Sequence, residues 1–330
     1  MPTNIYDQRT PLSFLPTPLH PLDRLSAALV PDGSTRLWIK RDDQTGLAGG
    51  GNKARKLEYL AHRAAEAGAT TLVTAGAIQS NHARQTAAAA AVLGLRCVLV
   101  LAPGALSTSD YETSGNALLD RLVGAEIVIA EDVASVPAEL DRVEARLRDS
   151  GEVPYMIPIG GSNPVGSLGY YRCAHEIADS GADFAEVYLA TGSGGTQAGL
   201  IGGFHAADYR TRVVGVSVAA PADEQVTKVQ GIIAGLMELV GSTTVPAEAA
   251  TVVDDRFVGP GYGVPTDAMR DAVELVARTE GILIDPVYTG KGMAGLVHRI
   301  REGAVPKGDI LFLHTGGSAG LFAYKDSLTA

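Results

Sequence analysis

The chain has 330 residues, of which 46% are hydrophobic and 19% charged, with a formal net charge of −10 at pH 7. This acidic balance excludes nucleic acid as the main partner, and the length exceeds what one growing core usually holds, so about two globular domains are expected. The two cysteines, Cys97 in the apolar run LRCVLVL and Cys173 in a helical pattern, form no disulfide framework and no zinc spacing. Both read as buried, reduced thiols. The start, MPTNIYDQRTPLSF, lacks the pattern of a signal peptide, and Arg84 and Arg96 interrupt the longest apolar candidate well short of ~18 residues. A cytoplasmic protein without a membrane span is therefore expected.

In chain order, Pro11, Pro16, Pro18 and Pro21 give an extended lead-in, followed by a short strand at Arg36 to Lys40. Gly49 to Gly51 then run into Asn52 and Lys53, after which Leu57, Leu60, Ala61, Ala64 and Ala65 share one helical face. A lysine is thus set at a helix start. Glycines let a backbone approach a ligand, and the unpaired N–H groups of a first turn disfavour an ammonium. A neutral amine is the form that attacks a carbonyl.

Apolar β-branched runs follow at Thr71 to Thr74, Leu95 to Leu101, Glu126 to Ala130 and Tyr155 to Ile159, with helical stretches between them. A second series comprises Glu186 to Thr191, Val213 to Val218 and Asp309 to His314. Strands buried on both faces and separated by helices predict parallel sheets, here two doubly wound α/β units. The glycine-rich stretch Ile157 to Tyr170 reads as the hinge between them. Ligands of such sheets bind at the carboxyl ends of strands, which draws the strand-end loops together.

Among these loops, Thr74 to Gln85 places Ser80 and Asn81 where a helix cap is expected, and either capping or ligand contact suits them. Val187 to Gly199 is a strand, a loop of small residues and a helix. Its N–H groups from Gly192 to Thr196 form an anion cradle suited to phosphate, with Lys56, one turn after Lys53, as the candidate cation. Gln197 stands where a dinucleotide fingerprint needs its last glycine, and there is no Walker A motif, so a compact phosphate ester is expected. Tyr262 sits between two glycines, and Tyr288 and Thr289 precede a further helix. Gly316 to Gly320 matches G-x-S-x-G, but no histidine follows Ser318, which argues against a hydrolase triad. No histidine spacing suggests a metal site.

The segments GGNKARKLEYL, TAGAIQSNHARQTAA, GGSNPVGSLGY, GYGVP, EGILIDPVYTGKGMAGL and HTGG occur in one order within about Pro11 to Tyr324. Together they resemble the D-cysteine desulfhydrase and 1-aminocyclopropane-1-carboxylate deaminase family of pyridoxal-phosphate enzymes, of tryptophan-synthase-β fold type II. The resemblance implies two doubly wound α/β domains with the active site in the cleft between them. Residues 1–53 and 164–330 would form the larger, cofactor-binding domain and 54–163 the smaller.

It further implies that Lys53 carries pyridoxal 5'-phosphate as a Schiff base and removes the α-proton. Asn81 would bond the cofactor's phenolic oxygen and Ser80 the substrate carboxylate. Gly192, Ser193, Gly194, Gly195 and Thr196, with Lys56, would hold the phosphate. Tyr288 would stack on the pyridine ring, Tyr262 would lie over the substrate, and Thr289 and Thr315 would set the surroundings of the ring nitrogen. Ring-opening deaminases carry Glu after the stacking tyrosine and Leu in the last motif, where this chain has Thr289 and Thr315. A hydroxyl there makes the ring a weaker electron sink, which suits β-elimination.

The expected activity is the conversion of D-cysteine to pyruvate, hydrogen sulfide and ammonia by a homodimer acting on a small amino acid. L-Cysteate sulfo-lyase is the nearest alternative, followed by the deaminase; a cofactor-binding sensor is the non-catalytic one. Two departures from the family pattern, Gly49 before GGNK and Ser318-Ala319-Gly320 in place of Ala-Pro-Ala, are expected to alter the side-chain pocket.

Overall fold

The computed structural model describes residues 5, 8–104, 106 and 108–328. In chain order its strands are β1 (Leu19–Pro21), β2 (Thr35–Arg41), β3 (Thr71–Ala77), β4 (Arg96–Ala102), β5 (Glu126–Ile129), β6 (Pro154–Met156), β7 (Phe184–Thr191), β8 (Arg212–Ser217), β9 (Thr251–Asp254) and β10 (Gly308–His314). They form a six-stranded sheet ordered β1-β2-β10-β7-β8-β9 and a four-stranded sheet ordered β5-β4-β3-β6. Every pairing is parallel except β1 with β2.

Alternation along the strands divides each sheet's side chains between two cores, as a sheet covered on both faces requires. In the larger sheet, Tyr188, Val214, Val216, Ile310 and Phe312 enter one cluster, and Val187, Leu189, Val213, Leu311 and Leu313 the other. In the smaller, Leu72, Cys97, Leu99 and Leu101 face one way and Val73, Ala75, Val98 and Val100 the other. Both cysteines are free and buried. Among the described residues no helix is long and apolar enough to cross a membrane.

Two strands went unforeseen. β1 has three residues and contains Pro21, and it runs antiparallel at a sheet edge, where a proline is tolerated. β9 has four residues and pairs only with β8 among the described residues. The expected strand Tyr155 to Ile159 stops at Met156, because Pro158 has no N–H for a ladder and Ile159–Gly161 turns as a 3₁₀ helix.

Each sheet winds outward in both directions from one point. In the larger sheet, β8 and β9 lie on one side of β7 and β10 on the other; in the smaller, β4 and β5 lie on one side of β3 and β6 on the other. Strand order reverses between β7 and β10, and between β3 and β6. Open α/β sheets bind ligands outside such points, at the carboxyl ends of the strands.

The Lys53–Glu66 helix joins the two halves. Leu57, Leu60 and Ala64 enter the core of the smaller sheet, while Arg55 reaches the other way. Arg55 grips Asp42 at 2.8 and 2.9 Å and Glu176 at 2.9 Å, and Asp42 also accepts from Thr17 at 2.7 Å and Tyr170 at 2.5 Å. Burial works against the Asp42 charge, but Arg55 and these donors outweigh it and hold the carboxyl below its usual 3.8. A depressed folded-state value stabilises the fold above the unfolded value and loses that contribution as pH falls through the folded one. Asp42→Asn is therefore expected to cost about 2 kcal/mol at pH 7. Urea unfolding should show this difference from the parent shrinking below about pH 4.

Candidate functional site

The glycine loop before Lys53 exists because side chains are excluded from it. A Cβ on Gly50 would lie 1.8 Å from Asp43 O, and Gly50 has φ +78. Thr45 Oγ1 donates to Gly51 O at 2.9 Å and accepts from Gly51 N at 2.8 Å, and Asn52 N donates to Thr315 O at 2.9 Å. Lys53 thus opens its helix on a backbone tied to the loop after β10. Its Nζ donates to Asn52 Oδ1 at 2.8 Å and lies 5.9 Å from the centre of the Tyr288 ring. Burial, helped by the Arg84 cation and opposed by Asp285, lowers the amine to about 8.

Lys53 lies on the wall of a cavity of about 650 Å³ between the two sheets. From the β3 end come Ser80, Asn81 and His82, and from the β6 end Ile159 and Gly160. Ser80 caps the Asn81–Leu93 helix by accepting from Ala83 N at 3.1 Å, which leaves its own hydrogen for another partner. Asn81 Oδ1 accepts from Asn116 Nδ2 at 3.0 Å, so the Asn81 amide keeps its N–H groups free to donate. Thr74 gives its single hydroxyl hydrogen to Ile157 O at 2.8 Å and must accept from His82 Nε2 at 2.8 Å. Burial, helped by the Lys53 and Lys56 amines and opposed by the Pro158 backbone, keeps the His82 ring neutral.

From the β7 end, Gly192, Ser193, Gly194 and Thr196 line the cavity, and Gly194 opens the Gly195–Ala206 helix at φ +86. Thr196 Oγ1 accepts from Asn52 Nδ2 at 3.1 Å, so Asn52 links Lys53 to this anion cradle. Gly195 is set back from the wall, and a Cβ there would meet Ser162 Oγ at 2.7 Å. Lys56 is also off the wall. It donates to Gly160 O at 3.1 Å and to Ser162 Oγ at 2.9 Å, and Ser162 lies 2.7 Å from Ser193 Oγ. Burial and the neighbouring Lys53 lower the Lys56 amine well below its usual 10.5. Besides Lys53, the wall carries Lys228, whose Nζ donates to Gly192 O at 3.3 Å.

At the β10 end, Thr315 and Gly316 close the floor, and Tyr262 and Tyr288 stand over it with their hydroxyls 2.5 Å apart. Thr289 is not on the wall. It is fully buried and its hydroxyl donates to Asp285 Oδ1 at 2.6 Å, which leaves Thr315 as the hydroxyl that faces the cavity. Asp285 also accepts from the backbone N–H of Val287, Tyr288 and Thr289 at 2.7–2.9 Å, so its charge is spent on holding the turn beneath Tyr288. Neither Gly49 nor Ser318 lines the cavity. The far wall consists of Pro103, Gly104, Val133, Val136 and Pro137.

These residues fit pyridoxal phosphate. The half-buried amine, the glycine-rich cradle at a helix start and the tyrosine face surround one volume, and side chains at Gly194 or Gly195 would strain or fill the cradle.

Comparison with known proteins agrees with this geometry. Residues 11–316 match the model of the family described as pyridoxal-phosphate dependent enzyme. The chain is 48% identical over 313 residues, 93% of each protein, to a D-cysteine desulfhydrase of Yersinia enterocolitica, and 47% identical over the same shares to that of Yersinia pestis. A crystal structure of a homologue of 1-aminocyclopropane-1-carboxylate deaminase superposes with a TM-score of 0.89 at 38% identity, covering 99% of both chains. Threonine deaminase isoform 2 of Solanum lycopersicum, 17% identical with a TM-score of 0.66 over 98% of this chain and 84% of its own, shares the fold. With the family model spanning most of the length and a cavity built around a half-buried lysine, this chain belongs to the pyridoxal-phosphate dependent enzymes of fold type II.

Proposed function

We propose that the chain is a carbon–sulfur lyase that converts D-cysteine and water to pyruvate, hydrogen sulfide and ammonia. The observation that carries this reading is that no carboxylate lines the cavity among the described residues. Bound pyridoxal phosphate supplies an electron sink for the pair left when Cα loses its proton. With the Thr315 hydroxyl rather than an acid at the β10 end, that sink is mild, which favours a substrate in which the Cα pair closes onto Cβ as the β-thiolate leaves with the Cβ–S pair. The Cα–H and Cβ–S bonds break, a Cα=Cβ bond forms, and water hydrolyses the resulting enamine to pyruvate and ammonia. The similarity to D-cysteine desulfhydrases over 93% of both chains supports the same substrate.

Lys53 is assigned to carry the cofactor and to take the α-proton, for which an amine lowered to about 8 is suited near neutral pH. Ser80 donates its free hydrogen to the substrate carboxylate, and Asn81, oriented by Asn116, donates to the phenolic oxygen of the cofactor. The Gly192–Thr196 cradle takes the phosphate, with Lys228 at its edge and Lys56 acting through Ser162 and Ser193. Tyr288 presents its face to the ring, and Tyr262 covers the substrate. Thr289 acts on the ring surroundings through Asp285 and Tyr288.

The sheet composition supports a larger domain of 1–53 and 164–330 and a smaller one of 54–163. A cytoplasmic homodimer belongs to the same proposal. It is supported by the exposed Leu118 and Leu122, which are four residues apart on the Gly115–Leu122 helix and leave part of it apolar.

Purified protein offered D-cysteine, L-cysteate, β-chloro-D-alanine and 1-aminocyclopropane-1-carboxylate in turn is expected to release pyruvate from D-cysteine and the chloro compound. Turnover of L-cysteate with silence on D-cysteine would overturn the substrate assignment. A light-scattering mass of a single chain would overturn the dimer.

A further inference from the structure

The Asn81–Leu93 helix carries buried polar side chains that the reaction does not use. Arg84 is 1% and Gln85 0% exposed. Arg84 Nη2 donates to Gly50 O at 2.9 Å, Gln85 Oε1 accepts from Ala54 N at 3.0 Å, and Gln85 Nε2 donates to Leu47 O at 3.3 Å. The helix therefore grips the backbone on both sides of Lys53. On the remote side of this grip, Arg84 Nε has no partner. Neither carboxylate oxygen of Asp120 has one, although that residue is fully buried on the Gly115–Leu122 helix. Two opposite charges are buried without a direct ion pair, and an isolated buried charge costs several kcal/mol, so the field of each helps to retain the other.

We propose that Arg84 and Asp120 form a buried charge couple that positions and tunes Lys53: Arg84 fixes Gly50 and sets a cation near the amine, and Asp120 governs how much of that cation's field the amine feels. The assignment rests on the reading of Lys53 as the residue that carries the cofactor. Burial lowers the Arg84 guanidinium to about 10, so it remains a cation at neutral pH. Burial raises Asp120 to about 7, with Arg84 and Arg121 pulling it back. The other groups that act on Lys53 are Asp285, which favours the ammonium, and Lys56, which shares its surroundings; His82 is neutral.

The couple makes a signed prediction. Removing the cation favours the ammonium and moves the Lys53 midpoint up, whereas removing Asp120 leaves the cation unopposed and moves it down. A merely structural role gives a different pattern, since loosening the loop admits water and raises both. The measurement uses the full chain freed of cofactor, treated with trace acetic anhydride from pH 6 to 10. Acetylation of Lys53 is read by peptide mass spectrometry against the exposed Lys307.

The parent midpoint is expected near 8. Arg84→Met should label about threefold or more slowly at pH 7, and Asp120→Asn roughly twofold faster at pH 7.5, since one pK unit is a factor of ten below the midpoint. Midpoints that both rise, or that both stay, overturn the proposal. If Arg84→Met does not fold, Asp120→Asn decides alone, and an unchanged or raised midpoint overturns it. Whether Lys53 carries the cofactor is read separately, from the site of borohydride reduction, so the two readings fail independently.

Discussion

Lys53→Ala is expected to lower pyruvate release from D-cysteine by roughly a thousandfold or more while leaving the fold intact. The side chain is partly exposed to the cavity, and the substitution removes no packing on which the helix depends, because Leu57, Leu60 and Ala64 supply its buried face. Alanine is also the best helix former at the position. What disappears is the covalent anchor of the cofactor and the base at Cα, and a positioned base alone contributes about 10²–10⁴-fold. The visible Schiff-base band, abolished by borohydride in the parent, should be missing from the variant even with excess pyridoxal phosphate. A band that persists in Lys53→Ala would move the anchor to another lysine, with Lys56 and Lys228 the next to test.

The second large effect falls on Asp285, which no side chain of the cavity wall touches through a hydrogen bond but which holds the turn beneath Tyr288. Asp285→Ala withdraws the acceptor of three backbone N–H groups and of the Thr289 hydroxyl, in a turn that is buried except at Tyr288. Each orphaned buried donor costs about 1–3 kcal/mol, so the loss of stability is expected at about 4 kcal/mol or more. Thermal unfolding should fall by roughly 8–15 °C. The functional consequence has a separate sign. Asp285 favours the Lys53 ammonium, so its removal lowers the amine further, while the released Tyr288 and its partner Tyr262 lose their shared geometry. Affinity for pyridoxal phosphate is expected to fall with it, and unchanged affinity would show that the turn does not position Tyr288.

The strands read most directly were those buried on both faces, while β2, β5 and β6 were read from shorter apolar stretches although they are only partly buried. β3, β4, β7, β8 and β10 are near-continuous apolar runs, and the parallel architecture follows from their alternation with helices. β1 and β9 escaped because their three or four residues stand outside any longer apolar run, whereas the equally short edge strands β5 and β6 lie within the apolar stretches 126–130 and 155–159. The site divides in the same way. Lys53, Ser80, Asn81 and the Gly192–Thr196 loop were legible because backbone chemistry at strand ends and helix starts places them at the cavity.

Depth was not legible. Lys56 and Thr289 are on the expected helices, but side-chain period fixes only a direction, and tertiary neighbours turn the one to Ser162 and the other to Asp285. Lys228 lies mid-helix in ADEQVTKVQG and reaches Gly192 only through packing across the sheet. Asp285 did leave a signal, since an acid three residues before a helix-opening tyrosine fits a capping turn, and that sign was passed over.

The larger sheet is closed by strands from opposite ends of the chain, with Thr35 beside Gly308 and Arg41 beside His314. Synthesis proceeds from the N-terminus at about 5–20 residues per second, so β2, with only β1 beside it, waits roughly 14–55 seconds for its parallel neighbour. The four-stranded sheet, drawn from residues 71–156, has every strand available long before that. During translation the smaller half can condense first, and the loop holding Lys53, gripped by then through Arg84 and Gln85, lacks its tie from Asn52 until Thr315 arrives. Cofactor capture is then one of the last events in the birth of the molecule. A nascent chain halted before β10 is left with the lysine but not with the floor against which the cofactor rests.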